Sequence, residues 1–224
     1  MLFKRYKAEA EQLRLHQRGF DTNLGDVSAW STLGWFEDPI LSNMLQRSEA
    51  SLARLIIHEL THGTLYVPGD ADFSENLATF VGDNGAYAFL AWKFGKEAPQ
   101  YRDYQGRMKD IKRYAAHVLA GAQRLDSLYN AMEPGWPIAV KDSLKFGMIA
   151  AIMADADTVS FYNAKRYRFV LSDDFRPNNT FFMRYKMYRE QQNQLELEFR
   201  EQFNGDFERY LQHLKAHYGN ASGS

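Results

Sequence analysis

The sequence contains no cysteine. Disulfides, thiolate metal sites and cysteine nucleophiles are therefore excluded. No apolar run approaches the roughly 18–20 residues that span a bilayer, and no signal-peptide pattern follows Met1, so the expectation is a soluble chain without a membrane span. An excess of one charge is missing as well. The 27 basic and 28 acidic side chains leave a net charge of -1, which argues against a nucleic-acid or polybasic membrane footprint. There is no internal repeat and no low-complexity tract. What the sequence has in quantity is apolar (45%) and aromatic (15%) side chains spread over 224 residues, enough for one domain with a real core and clefts lined by Tyr, Phe and Trp. The expected organisation is a single domain over 1–218 followed by a disordered tail at 219–224.

Hydrophobic spacing predicts helices over most of the chain. Tyr6, Ala10, Leu13 and Leu15 recur at helical intervals between Lys4 and Gln17, with Gly19 as the stop. Asp26 to Phe36 is rich in Val, Trp, Thr and Phe and reads as strand, turning near Leu33-Gly34 and broken by Asp38-Pro39. A helix follows from Glu49 to Leu65, then a turn at Pro68-Gly69-Asp70. The next helix begins near Asp72 to Ser74, with Asp72 and Glu75 at capping-box spacing, and runs to Phe94-Gly95. Long helices are expected from Gln100 to Asn130, from Ile138 to Tyr162 or beyond, and from Asn179 onward, the last divided by Gly205. The expected fold class is α+β: mainly helical, with a small N-terminal β-sheet.

The chemistry is concentrated in His58-Glu59-Leu60-Thr61-His62. Histidines at i and i+4 project from one helix face, so both imidazoles can reach a single metal, while the intervening glutamate reaches a water on that metal. A catalytic zinc site takes three protein ligands and leaves a fourth position for water. The extended spacing HExxHxxGxxH is excluded, because Leu65 and Pro68 stand where it requires Gly and His. The other spacing takes a carboxylate from the next helix. Glu75, in the first turn after the Pro68-Gly69-Asp70 reversal, fits it, with Asp70, Asp72 and Asp83 as rivals. Thr79 and Asp83 follow along the same face and are placed to orient ligands. With zinc bound, water is acidified and a carbonyl polarised, and Glu59 can accept the water's proton and return it to a leaving amine. These parts point to amide hydrolysis, most simply of peptides.

The resemblance extends beyond these five residues. Gly19-Phe20-Asp21, the stretch from Val27 to Leu41 (VSAWSTLGWFEDPIL), Ile57 to His62, Tyr66 to Asp70, Phe73 to Val81, Asn178-Asn179 and Tyr188 together resemble a bacterial family of predicted aminopeptidases of the gluzincin type. The resemblance implies one Zn2+ per chain bound by His58, His62 and Glu75, with Glu59 as the catalytic base and a peptide or small protein as substrate. It implies a zincin-like arrangement in which an edge strand beside the HExxH helix pairs with extended substrate. Trp30, Ser31, Thr32 and Gly34 are the candidates for that edge. Asn179 and Tyr188 match the family pattern near the start of the last long helix and are candidates for substrate binding and for stabilising the oxyanion. Ser74 stands where the family often has Asn, and Gly82 where some members carry Glu. Relatives usually carry an N-terminal membrane or lipoprotein anchor, so the expected full-length protein is membrane-anchored or periplasmic and this chain its soluble part.

The GxMEN loop with which better-known zinc aminopeptidases hold a free amine does not occur. Glu37 and Asp38 are the nearest acidic substitutes. Two rival readings stand beside the peptidase: a zincin-like scaffold that binds without turnover, and a zinc hydrolase of a non-peptide amide. The intact Glu59 favours an enzyme over the scaffold.

Overall fold

The structure, a computed structural model, describes residues 5–24, 47–171 and 175–219. Among these lie seven α-helices: α1 (Arg5–Gln17), α2 (Glu49–Thr64), α3 (Ala71–Phe94), α4 (Pro99–Ala131), α5 (Ile138–Asp155), α6 (Asn179–Glu201) and α7 (Phe207–Tyr218). Two short 3-10 segments, Ala156–Thr158 and Ala164–Leu171, lie between α5 and α6.

The α+β expectation is thereby corrected. Among the described residues there is no strand, and extended pairing is confined to an isolated antiparallel bridge between Leu65 and Gly219. The described segments carry helical spacing rather than the period-2 alternation that a sheet requires. The stretch expected as strand, Asp26 to Phe36, lies outside the described residues. So do residues 220–224 of the expected tail.

The described chain divides into two compact units, the first from residues 5–24 with 107–187 and the second from 47–106 with 188–219. In the first, Val118, Leu125, Ile149, Ile152 and Phe182 form a buried core. α5 ends at Asp155, earlier than its apolar spacing predicts. There the chain tightens into the 3-10 segment Ala156–Thr158, the Thr158 hydroxyl donates to the Asp155 carbonyl (2.7 Å) and Val159 is extended. Beyond it the fully buried Asp110 carboxylate accepts hydrogen bonds from the backbone N–H groups of Tyr162 (2.6 Å) and Asn163 (2.9 Å). Those donors are thus withdrawn from a continuing helix ladder. α1 forms as expected but buries none of its residues.

The second unit packs α2, α3, α7 and the later part of α6 around Leu65, Leu77, Phe80, Val81, Leu195, Tyr210 and Leu214. Burying each of these side chains contributes about 1.5–3 kcal/mol, and this apolar set joins the α2–α3 pair to α7. Asn204 and Gly205, both at positive φ, end α6, and Asp206 caps α7 by accepting from the Arg209 N–H. Among the described residues no helix is long and apolar enough to cross a membrane.

Candidate metal centre

α2 starts where Ser48 accepts a hydrogen bond from the Ser51 N–H, which satisfies a donor of the first turn. It ends at Leu65, ahead of a tight turn in which the Asp70 N–H bonds the Val67 carbonyl at 3.2 Å. Pro68 presets φ, and Gly69 takes φ +85°, which a residue with a Cβ rarely adopts. The cap of α3 is Asp70, whose carboxylate accepts from the Phe73 N–H at 2.9 Å. The expectation of a cap at Asp72 is corrected by two residues, because the helix begins at Ala71 directly after the tight turn and Asp70 is the non-helical residue before it. Ser74 fastens this turn. Its hydroxyl accepts from the Val67 N–H (3.1 Å) and donates to the Asp70 carbonyl (2.9 Å).

The turn folds α3 back along α2 and brings Glu75 to the two histidines. His58 Nε2 and His62 Nε2 are 3.3 Å apart. Glu75 Oε2 lies 3.4 Å from His58 Nε2, and Glu75 Oε1 3.3 Å from His62 Nε2. These three residues could hold a metal ion. His62 is 4% exposed and the Glu75 side chain 63%, so the cluster has a protein-facing and a solvent-facing side. Burial, and next the neighbouring His62, hold the His58 imidazole below its ordinary pKa, which favours the neutral ring that a metal requires. The Nδ1 atoms of both rings are buried with no partner among the described residues. Glu59, next to His58 on α2, is half-buried.

Behind the cluster, α2 and α3 approach closely. A Cβ placed on Gly82 would lie 2.9 Å from the Arg54 carbonyl oxygen and 3.2 Å from His58 Cβ. The position where some relatives carry Glu has no space for a side chain at this helix separation. Asp83, expected to orient a ligand, instead bonds the guanidinium of Arg54, one turn before His58. Thr79, the other residue expected to orient a ligand, faces Tyr188. Burial raises the Tyr188 pKa, with the Asp83 charge adding to the rise, and the Thr79 hydroxyl, approaching the phenol oxygen as a donor, partly offsets it.

Asn179 belongs to the first unit, where its Oδ1 accepts from the Tyr129 hydroxyl (2.6 Å) and its N–H donates to Asp21 (3.1 Å). Trp30, Ser31, Thr32 and Gly34, with the acids Glu37 and Asp38, lie outside the described residues. Sequence reasoning missed Arg54, Asn76, Gln191 and Gln192, which bond between helices around the cluster. An arginine one turn before a metal-type histidine was the available signal for Arg54. For the glutamines there was none.

No curated protein and no solved structure matches the chain. A family does, and the match runs over residues 2–221, taking in the α2–α3 pair with its three converging side chains. On that span the chain belongs to the family described as "Putative aminopeptidase".

Proposed function

We propose that this chain is a zinc-dependent peptidase of the gluzincin type, holding one zinc ion through His58, His62 and Glu75 with Glu59 as general base. The observation that carries the reading is the convergence of donor atoms: the two ring nitrogens are 3.3 Å apart, and each lies within 3.3–3.4 Å of one of the two Glu75 carboxylate oxygens. Ligands about 2.0–2.1 Å from a tetrahedral zinc stand about 3.3–3.4 Å from one another. The donor set, two imidazoles and a carboxylate, is one of those found in hydrolytic zinc sites with an open position.

Bound zinc supplies Lewis acidity, acidifying water and polarising an amide carbonyl. The Glu59 carboxylate takes a proton from the attacking water and passes it to the leaving amine nitrogen. Tyr188 supplies a neutral hydrogen-bond donor. Its raised pKa, set first by burial, keeps the phenol protonated as a donor for a developing oxyanion. On this reading the peptide approaches from the side of the cluster where Glu75 is exposed. Family membership supports a peptide substrate cleaved from its N-terminal end.

The test compares fluorogenic peptide libraries with free and with blocked N-termini. The zinc-loaded protein is expected to hydrolyse the free set. Glu59→Gln is expected to bind one zinc per chain and lose turnover by about 1,000-fold, the middle of the range that a positioned general base contributes. Undiminished hydrolysis in Glu59→Gln, or no turnover of either library, would overturn the proposal.

A further inference from the structure

Gln192 is an amide where an apolar residue is the cheaper choice. It is 8% exposed, and Leu195, three residues later on α6, belongs to the apolar core. A buried amide costs free energy unless its hydrogen bonds are made, and replacing it with an apolar side chain of the same shape is often neutral. Here the amide nitrogen donates twice to one residue: to the Asn76 carbonyl at 2.6 Å and to Asn76 Oδ1 at 3.0 Å. Asn76 is committed on its other side too. Its Nδ2 donates to the Asp72 carbonyl at 2.9 Å and to Gln191 Oε1.

This pairing does what packing alone does not do. Apolar contacts tolerate sliding of one helix along another, whereas a donor shared between a carbonyl and a side-chain oxygen of one residue is satisfied at a single register. A slip of one residue moves a helix about 1.5 Å along its axis and breaks both bonds. Asn76 directly follows Glu75, and Thr79 is the next α3 residue on its side. Tyr188 is one turn before Gln192 on the same face of α6. The two helices are therefore matched at Gln192 and Asn76, and one turn before Gln192 the Tyr188 side chain comes near Thr79 and Asp83, the helices running in opposite directions.

We propose that Gln192 is a positioning residue for the reaction: by fixing the register of α6 on α3 it sets where the Tyr188 hydroxyl, one turn before it on α6, stands along α3. This rests on the reading of Tyr188 as the oxyanion donor. Gln192 touches neither substrate nor metal and acts through Tyr188.

The experiment is a double-mutant cycle in the full, zinc-loaded chain, with a fluorogenic peptide bearing a free N-terminus as substrate and zinc affinity measured by chelator competition. Tyr188→Phe is expected to lower kcat about 100-fold, as loss of an oxyanion donor does. Gln192→Met, isosteric but unable to donate, is expected to lower kcat about tenfold through misplacement. The double variant should be no slower than Tyr188→Phe alone, with KM and zinc affinity within about twofold of wild type throughout. Asn76→Ala removes one of the two acceptors and gives the same pattern, more weakly, should Gln192→Met not fold. Losses that multiply in the double variant overturn the inference, as does a fall in zinc affinity in place of kcat. A loss in Tyr188→Phe with none in either Gln192→Met or Asn76→Ala overturns the role of Gln192 alone. Wild-type kcat in Tyr188→Phe sinks the oxyanion reading and this inference with it.

Discussion

Gly82 on α3 rests against His58 on α2, at a separation where a single added methyl would come within 3.2 Å of His58 Cβ and 2.9 Å of the Arg54 carbonyl oxygen. The carbonyl belongs to a helix ladder and cannot swing away. Alanine normally gains about 1 kcal/mol over glycine inside a helix, but overpacking typically costs about 1–3 kcal/mol, and a contact with backbone puts this site at the upper end. Gly82→Ala is therefore expected to be net destabilising by about 1–2 kcal/mol in urea unfolding. It should also weaken zinc binding, because the methyl pushes apart the two helices that carry the ligands. A variant at least as stable as wild type, with unchanged zinc affinity, would show that the close approach has no such role.

Removal of the ligands separates metal binding from folding. The Glu75 side chain is 63% exposed, while His62 is 4% exposed. Glu75→Ala is expected to leave the thermal midpoint of the metal-free protein within about 2 °C of wild type, since surface substitutions change stability by about 0.5 kcal/mol or less. Zinc affinity should fall at least 100-fold with one of three ligands gone. His62→Ala should lower both, because it also removes buried volume. Zinc bound at wild-type affinity by Glu75→Ala, measured by chelator competition, would remove Glu75 from the ligand set.

Asp110 carries a structural load in the first unit. Its buried carboxylate accepts the Tyr162 and Asn163 N–H groups, and each donor left unsatisfied in a buried setting costs about 1–3 kcal/mol. Asp110→Ala should lose about 2–4 kcal/mol in chemical denaturation. Asp110→Asn, which keeps one carbonyl acceptor, should lose less. Equal losses in the two variants would count against the hydrogen-bond explanation.

Alkaline pH should reveal Tyr87, whose pKa is pushed up to about 12, first by burial and then by Tyr101. The unfolded chain releases this proton near pH 10. Between about pH 10 and 12 the unfolded state therefore holds fewer protons than the folded state, and stability falls as pH rises. Tyr87→Phe should flatten part of that fall when urea midpoints are followed from pH 9 to 11.5. An identical slope in the variant would assign the alkaline loss to other groups.

The helices were legible because their apolar spacing is local information. Gly19, the Pro68-Gly69-Asp70 turn and Gly205 act on their neighbours regardless of the rest of the fold, and α1, α2, α3 and α7 begin or end at or within a few residues of these signals. Local information also misled. Spacing carries α5 past Asp155 to Tyr162, because the Asp110 carboxylate that holds the Tyr162 N–H outside a helix lies 52 residues away along the chain. The cap was read at Asp72 because Glu75 stands at capping-box distance from it, while the tight turn gave the role to Asp70.

By itself, then, the sequence determined the pairing of His58 and His62, which one helical turn enforces, and the placing of Glu75 after a turn that can only reverse the chain. It also determined that no thiol takes part. Tertiary structure alone decided that the three donors meet at 3.3–3.4 Å. It alone committed Asp83 to Arg54, turned Thr79 towards Tyr188, and set Gln192 against Asn76. The physical reason is range. Periodicity and turn chemistry act over three or four residues, whereas a hydrogen bond between residues 116 positions apart exists only after two helices have packed and expelled the water between them.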